Sequence, residues 1–173
     1  MRLYYFKGFE SEYNSTKFKF ISNKFKNLSP IEIVYPDIDK NIKLDFNKYK
    51  QILINQIKDE EVILVGSSFG GYWAAILANE VNSMSCININ PAPTEFIKKY
   101  FDNPQEYNIP HIGCYTILGR HDGIFNYKNY VEKFNHKCSI DIDENGNHRD
   151  IDLDLLSKLI KDSINYGYNN RII

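Results

Sequence analysis

A buried strand that ends in a tight glycine-rich turn constrains this chain most. Residues 62–65 are all aliphatic, and residues 66–70 follow the pattern Gly-x-Ser-x-Gly, with Ser68 at the centre. A continuous apolar run is typical of a strand buried on both faces of a parallel sheet. Glycine on both sides permits the strained backbone that raises a serine hydroxyl above the carboxyl edge of a sheet. The pattern therefore predicts a nucleophile elbow, although a strand–helix turn without chemistry can have the same residues.

Strand-like and helix-like segments alternate along the whole chain. Strands are predicted at 2–6, 31–35, 61–66, 84–89, 113–118 and 138–142, and helices at 14–26, 45–58, 70–81, 94–101, 126–135 and 152–165. This alternation predicts an α/β fold with a doubly wound, mostly parallel six-stranded sheet flanked by helices. We expect the strand order 2-1-3-4-5-6, counted along the chain, with the elbow strand central.

The length of the chain predicts one domain without a large lid. With 173 residues, the chain is long enough for one well-buried core and too short for two, so we expect a single domain over 1–173. The longest irregular stretch, 102–112, is short and could form a flap over the site.

A nucleophilic serine needs a base and a group that orients the base. After an elbow of this kind the acid comes first and the histidine last, each in the loop after a later strand. Asp122 follows the strand predicted at 113–118, and His148 follows the strand predicted at 138–142. Asp122 could instead be a turn or helix-capping residue, and His148 an ordinary loop histidine. His121 is the rival base, but it adjoins the proposed acid, and adjacent side chains rarely converge on one partner.

Several segments of the chain carry a resemblance to a known family. They are the end of the first strand at 4–9, the elbow at 64–72, Asn-Pro-Ala at 90–92, and the acid and histidine loops at 122–127 and 146–148. In these segments the chain resembles the YqiA-like group of small single-domain bacterial esterases in the α/β-hydrolase superfamily. The resemblance implies a minimal α/β-hydrolase fold and esterase or thioesterase activity, with Ser68, Asp122 and His148 as the catalytic triad.

Two residues depart from the pattern of that family. Lys7 stands where the family usually has a histidine that shapes the first loop, and Arg149 follows His148 where a small or apolar residue is more usual. Arg149 could lower the pKa of His148, meet an anionic substrate, or be a solvated surface residue. The first predicted helix is basic on one side, which is typical of a solvated face; its lysines are Lys17, Lys19, Lys24 and Lys26.

Two backbone N–H groups are expected to bind the oxyanion that forms on a substrate. One belongs to Phe69, directly after the nucleophile, where the start of a helix adds positive potential. The other belongs to Phe9, in the loop after the first strand, with Gly8 as a hinge. We expect Gly8, Tyr72 and Phe125 to line the substrate site, although core packing would explain either aromatic residue equally well.

Composition excludes several classes of partner. The net charge is −1, which gives no reason to expect nucleic acid or an anionic membrane as a partner. The chain has no apolar run of about 18 residues and no apolar N-terminal segment of signal-peptide length, so we expect a cytoplasmic protein. Its cysteines, Cys86, Cys114 and Cys138, form no C-x-x-C pattern and are expected to be free thiols.

One further pattern nearly matches a calcium-binding loop. Asp141-x-Asp143-x-Asn145-Gly146, followed by Asp152, resembles an EF-hand loop. The last position holds Asp in place of the bidentate Glu, and the preceding segment has the pattern of a strand rather than a helix. We therefore expect no metal site in this loop.

The residues together predict a serine hydrolase that cleaves small acyl esters or thioesters through an acyl-enzyme, without a metal or an organic cofactor. Acyl transfer to an acceptor other than water would use the same residues. The alternative outside the enzymes is a non-catalytic binding protein with the same fold. Lys7 and Arg149 support this alternative, because they depart from the family pattern.

Overall fold

The computed structural model of the protein describes residues 1–9, 11–13, 15–31, 33, 42–58, 61–110 and 113–169. Strands and helices alternate through these residues. In chain order they are β1 (Arg2–Phe6), α1 (Thr16–Lys24), β2 (Leu28–Ile31), β3 (Leu44–Asp45), α2 (Phe46–Ile54), β4 (Val62–Ser67), α3 (Phe69–Ala78), β5 (Ser85–Ile89), α4 (Thr94–Ile97), β6 (Phe101–Asp102), β7 (Gly113–Gly119), α5 (Tyr127–Phe134), β8 (Ser139–Asp143) and α6 (Leu153–Asn169).

Six of the strands form one parallel sheet in the order β2-β1-β4-β5-β7-β8. The elbow strand β4 lies inside the sheet, where Val65 is in register with Tyr5 of β1 and with Ile87 of β5. The predicted strand order is confirmed. Because all six strands run in the same direction, the loops after β1, β4, β5, β7 and β8 meet at one edge of the sheet.

Both faces of the sheet are covered by apolar side chains. On β4, Val62 and Leu64 belong to a core cluster on the α2 and α3 face. Ile63 and Val65 belong to a second cluster on the α6 face. Every residue of β4 is buried, which explains the continuous apolar run in its sequence.

The second strand of the chain begins earlier than the sequence pattern predicts. β2 spans Leu28–Ile31 rather than 31–35, and it pairs with β1 along its whole length. It includes Pro30, which is tolerated because β2 lies at the edge of the sheet. Residues 32, 34 and 35 of the predicted strand lie outside the described residues.

The region after β5 also differs from the prediction. The predicted helix 94–101 is too long, because α4 ends at Ile97 and residues 101–102 pair with β3 in a separate two-stranded sheet. Propensity within residues 94–101 does not show this pairing, since it depends on the distant segment at 44–45.

The irregular stretch proposed as a flap is anchored over its described part, residues 103–110. Tyr107 and Ile109 are buried, and the backbone N–H of Tyr107 donates to Thr94 Oγ1 at 2.7 Å. The hydroxyl of Tyr72 donates to the carbonyl of Gln105. These contacts fix the stretch against the core. In the part of the chain that the structure describes, no helix has both the length and the apolar character needed to cross a membrane.

Candidate active site

Ser68 lies at the sharp turn between β4 and α3. Its backbone φ is 54° and its ψ is −117°, a conformation that non-glycine residues rarely adopt. The N–H of Ser68 donates to Ile89 O at 2.8 Å, and its carbonyl accepts from Ala92 N at 2.9 Å. These bonds to β5 and the turn after it hold the strained residue in place. The predicted strand, turn and helix around Ser68 are present.

Gly66 and Gly70 permit this turn. A Cβ atom on Gly70 would lie 2.1 Å from the carbonyl oxygen of Phe6, and a Cβ on Gly66 would lie 2.2 Å from the carbonyl oxygen of Gly70. In both cases the obstructing atoms belong to the backbone, so they cannot be moved aside as a flexible side chain can. Helix α3 can start this close to β1 and β4 only when both positions lack a side chain.

The structure brings Ser68, His148 and Asp122 into one chain of hydrogen bonds. The Ser68 hydroxyl lies 2.9 Å from His148 Nε2, and His148 Nδ1 lies 2.7 Å from Asp122 Oδ2. The carboxylate partner favours the tautomer with the proton on Nδ1, which leaves Nε2 as an acceptor. The rival base, His121, is exposed, and its backbone N–H donates to Gly146 O.

Asp122 is held as a carboxylate. Its Oδ1 accepts from the N–H groups of Ile124 at 2.7 Å and Phe125 at 2.9 Å, and its side chain is 2 % exposed. Burial on its own raises the pKa of this carboxyl, but the hydrogen bonds from His148 and the two backbone amides outweigh burial and hold the pKa below its usual value. Asp122 therefore both orients His148 with Oδ2 and stabilises the following turn with Oδ1.

Asn90 connects the loops that carry the site. Its φ is 43°, and it comes directly after β5. Its side chain donates to Asn147 O at 2.9 Å and accepts from Gly119 N at 2.8 Å. It thereby joins the end of β7 to the turn that presents His148. In the sequence, Asn90 belongs to the Asn-Pro-Ala segment that carries the family resemblance, and a polar residue directly after a central strand was the available signal for its role.

Asp143, which belongs to the calcium-like pattern, organises the loop before His148. Its Oδ1 accepts from Asn145 N at 3.1 Å, and its Oδ2 accepts from Asp152 N at 2.6 Å. Its side chain thus links β8 to the turn before α6. Among the residues that the structure covers, no group of three His, Cys, Asp or Glu side chains is arranged to hold a metal ion.

A cavity of about 600 Å³ lies beside Ser68 and His148. Gly8 is at its wall: a Cβ there would lie 3.4 Å from Ser68 Cβ, so the loop after β1 passes close to the nucleophile. Apolar side chains that line the cavity are Phe9, Phe96, Tyr100, Ile124 and Phe125, and polar ones include Ser11, Glu12, Ser15, Thr16, Lys17, Arg149 and Asp150. The cavity therefore combines an apolar surface with a charged one.

Phe125 also contacts the histidine. Its ring meets the His148 ring edge-on, with 5.0 Å between centroids, and limits the positions open to the imidazole. Ile124 and Phe125 line a second cavity of about 420 Å³ as well, so they separate two spaces near the site. The loop that carries the acid thus also shapes the cavity.

Tyr72 lies away from this cavity. It is fully buried, stands among the aromatic rings of α2 and α3, and uses its hydroxyl to hold residue Gln105. Burial raises the pKa of its phenol. Lys7 directs its ammonium to the ring of Tyr13, 5.0 Å from the centroid. The structure therefore places Gly8 and Phe125, but not Tyr72, at the predicted substrate site.

Comparison with known proteins identifies the family. A family model described as an uncharacterised protein family, UPF0227, matches residues 2–161, which is most of the chain. The chain belongs to the UPF0227 family. A comparison with curated proteins finds no significant match.

Solved structures similar to this UPF0227 protein share its fold. A protein of the alpha/beta hydrolase superfamily from Xanthomonas campestris pv. campestris matches with 17 % identity and a TM-score of 0.65, over 99 % of this chain and 98 % of that one. Mouse alpha/beta hydrolase domain-containing protein 10 matches with 16 % identity and a TM-score of 0.69, over 94 % and 89 %. A carboxylesterase from Nitrososphaera gargenis matches with 9 % identity and a TM-score of 0.68, over 97 % and 91 %. The predicted α/β-hydrolase fold is confirmed.

Proposed function

We propose that this UPF0227 protein is a serine hydrolase that cleaves carboxylic esters or thioesters of small acyl substrates. The observation that carries the proposal is the hydrogen-bonded chain from the Ser68 hydroxyl through His148 to the Asp122 carboxylate, beside an open cavity. A serine on a strained turn, a base within hydrogen-bond reach and a carboxylate that orients the base are the requirements for nucleophilic acyl transfer.

The first half of the proposed reaction forms an acyl-enzyme. His148 Nε2 takes the hydroxyl proton as Ser68 Oγ bonds to the carbonyl carbon, and the carbonyl oxygen becomes an oxyanion. When the oxyanion collapses, the bond to the leaving oxygen or sulfur breaks, and His148 returns the proton to the departing alcohol or thiol. Asp122 keeps its negative charge throughout and stabilises the imidazolium.

The second half releases the acid. His148 takes a proton from water while the water oxygen bonds to the acyl carbon, and collapse of the second oxyanion returns the proton to Ser68. Acyl transfer to another hydroxyl or thiol would follow the same steps with that group in place of water.

The oxyanion is assigned to the backbone N–H groups of Phe69 and Phe9. Phe69 is the first residue of α3, directly after Ser68, where the helix dipole adds positive potential. Phe9 follows Gly8, whose position next to Ser68 supports the assignment. Each backbone donor of this kind contributes about 3 kcal/mol to the transition state.

The alternative of a non-catalytic binding scaffold is less well supported. Such a protein would tolerate a filled site or a broken hydrogen-bonded chain, whereas here the serine and the histidine both line an open cavity. The three cysteines carry free thiols, which supports a proposed location in a reducing compartment such as the cytoplasm.

Labelling with a fluorophosphonate probe tests the proposal. We expect the wild-type protein and a Ser22→Ala control, which removes a hydroxyl on α1 far along the chain from the elbow, to be labelled alike. Ser68→Ala and His148→Ala should lose labelling and the hydrolysis of 4-nitrophenyl acetate while keeping the circular dichroism spectrum of the wild type. Folded wild-type protein that is not labelled would contradict the proposal and favour a binding scaffold.

A further inference from the structure

A buried lysine beside the nucleophile has no part in the proposed mechanism. Lys17, in the first turn of α1, is only 8 % exposed, yet it lines the cavity that contains Ser68 and His148. Its neighbour on the helix, Lys19, is exposed, as the sequence pattern predicts for a solvated face. For Lys17 that prediction is wrong. A lysine this deeply buried is rare unless its charge meets a partner.

The charge of Lys17 is only partly satisfied by the protein. Its ammonium donates to the backbone carbonyl of Arg149, and an ammonium group has three N–H donors. In the covered part of the chain, no carboxylate forms an ion pair with it. Burial lowers the pKa of this ammonium, the charge of Asp150 opposes that effect, and the charge of Arg149 adds to it. The lysine can therefore still bind an anion that enters the cavity.

Other residues with hydrogen-bond donors line the same cavity as Lys17. Helix α1 begins at Thr16, and the N–H groups of Thr16 and Lys17 have no carbonyl partner inside the helix. The positive end of the helix dipole points towards an anion placed there. The hydroxyl-bearing residues Ser11 and Ser15 and the guanidinium-bearing Arg149 line the same cavity.

Two carboxylates, Glu12 and Asp150, also line the cavity. Both residues are exposed, and Asp150 Oδ2 accepts from Asn147 Nδ2 at 3.1 Å within the loop of His148. Solvent screens exposed charges far more than buried ones, so these two carboxylates and the exposed Arg149 each act more weakly in the cavity than the buried ammonium of Lys17. The two carboxylates balance the positive charges of Lys17 and Arg149 in the lining, and within the described structure neither carboxylate forms an ion pair with Lys17.

We propose that Lys17 and Arg149, with the N-terminus of α1, bind an anionic group, a carboxylate or a phosphate, on the ester or thioester substrate. The inference rests on the proposed function, because it defines the substrate class for the same site. Arg149 directly follows His148, and Lys17 lies in the same cavity as Ser68, so one substrate can reach both the nucleophile and the cations. The apolar part of the cavity, around Phe96 and Ile124, then accommodates the uncharged remainder.

Two pairs of chromogenic esters test this. Mono-4-nitrophenyl glutarate and 4-nitrophenyl valerate differ by a carboxylate on the acyl side. The 4-acetoxybenzoate anion and its methyl ester differ by a carboxylate on the alcohol side of the acetate ester. We expect the wild type to have a higher kcat/KM for the anionic member of at least one pair. Lys17→Met should reduce that preference by about 10- to 100-fold, the range for one hydrogen bond to a charged group. Arg149→Gln should reduce it by a smaller factor, about 2- to 5-fold, because solvent screens the exposed guanidinium.

Controls separate the anion site from a general loss of structure. Lys17→Arg keeps the cation and should retain the preference, and Lys19→Met removes an exposed lysine on the same helix and should leave it unchanged. Inorganic phosphate should inhibit hydrolysis of the valerate ester competitively in the wild type, at least 10-fold less tightly in Lys17→Met and about 2- to 5-fold less tightly in Arg149→Gln. Because Arg149 is exposed, this variant remains informative even if Lys17→Met does not fold.

The outcomes distinguish the two proposals. The anion site would be refuted if the wild type hydrolysed neutral esters through Ser68 but showed no preference for either anionic ester. It would also be refuted if a preference remained unchanged in both Lys17→Met and Arg149→Gln. Either result would leave the proposed hydrolase activity intact. Folded wild-type protein that hydrolyses none of the four esters would instead refute the proposed function on which the inference depends.

Discussion

Replacing Asp122 by asparagine tests how the carboxylate acts on His148. One oxygen of Asp122 is fixed by the N–H groups of Ile124 and Phe125, and the other faces His148 Nδ1. In Asp122→Asn the amide oxygen must take the position next to the two backbone donors, because an NH₂ group there would oppose them. The NH₂ group therefore faces the histidine and donates to Nδ1.

This donor reverses the tautomer of His148. With Nδ1 as acceptor, the ring proton moves to Nε2, which then cannot accept the proton of Ser68. A reversal of this kind in a serine triad lowers kcat about 10⁴-fold, or ~5 kcal/mol in activation free energy. The lost charge-assisted hydrogen bonds should reduce the free energy of unfolding by about 1–3 kcal/mol, so the variant stays folded.

The assay is single-turnover and steady-state hydrolysis of 4-nitrophenyl acetate, with urea unfolding of the same samples. Asp141→Asn is the matched control, because Asp141 lies on β8 outside the hydrogen-bonded chain and should keep wild-type kcat. If Asp122→Asn retained kcat within about 10-fold of the wild type while Ser68→Ala was inactive, Asp122 would not set the tautomer, and the reasoning would be refuted.

Two further variants, with Gly123→Ala as a control, test the elbow and the core. Gly70→Ala should reduce the free energy of unfolding by about 3 kcal/mol or more, because its Cβ meets the backbone of Phe6. Gly123→Ala, with nothing within 4 Å of its Cβ, should stay within about 1 kcal/mol of the wild type in the same urea titration. Tyr72→Phe should lose about 1–2 kcal/mol, because the buried hydroxyl bonds to Gln105, while kcat/KM for 4-nitrophenyl acetate stays unchanged.

Each of these expectations has a contrary result. Equal stability of Gly70→Ala and Gly123→Ala would show that the turn relaxes around a side chain. A large rise in KM in Tyr72→Phe, without a loss of stability, would show that Tyr72 contacts the substrate.

Features that depend on local pattern were predictable from the sequence alone. The sequence pattern placed five of the six sheet strands and their alternation with helices, whereas β2 begins three residues earlier than predicted. The right-handed crossovers of a doubly wound sheet left few strand orders to consider. The elbow was predictable because a backbone conformation such as that of Ser68 needs small neighbours, and Gly66 and Gly70 are visible in the sequence. The chain order of serine, acid and histidine then indicated which loops to consider.

Long-range packing decided the rest. The sequence shows lysines on one side of α1, but only the docking of that helix against the loop after His148 buries Lys17 and leaves Lys19 in solvent. Tyr72 is one turn beyond the nucleophile in sequence and points into the core in space. Asn90 bonds to Asn147, which is 57 residues away in the chain. Local propensity carries no information on these contacts, because each depends on segments that meet only when the sheet is complete.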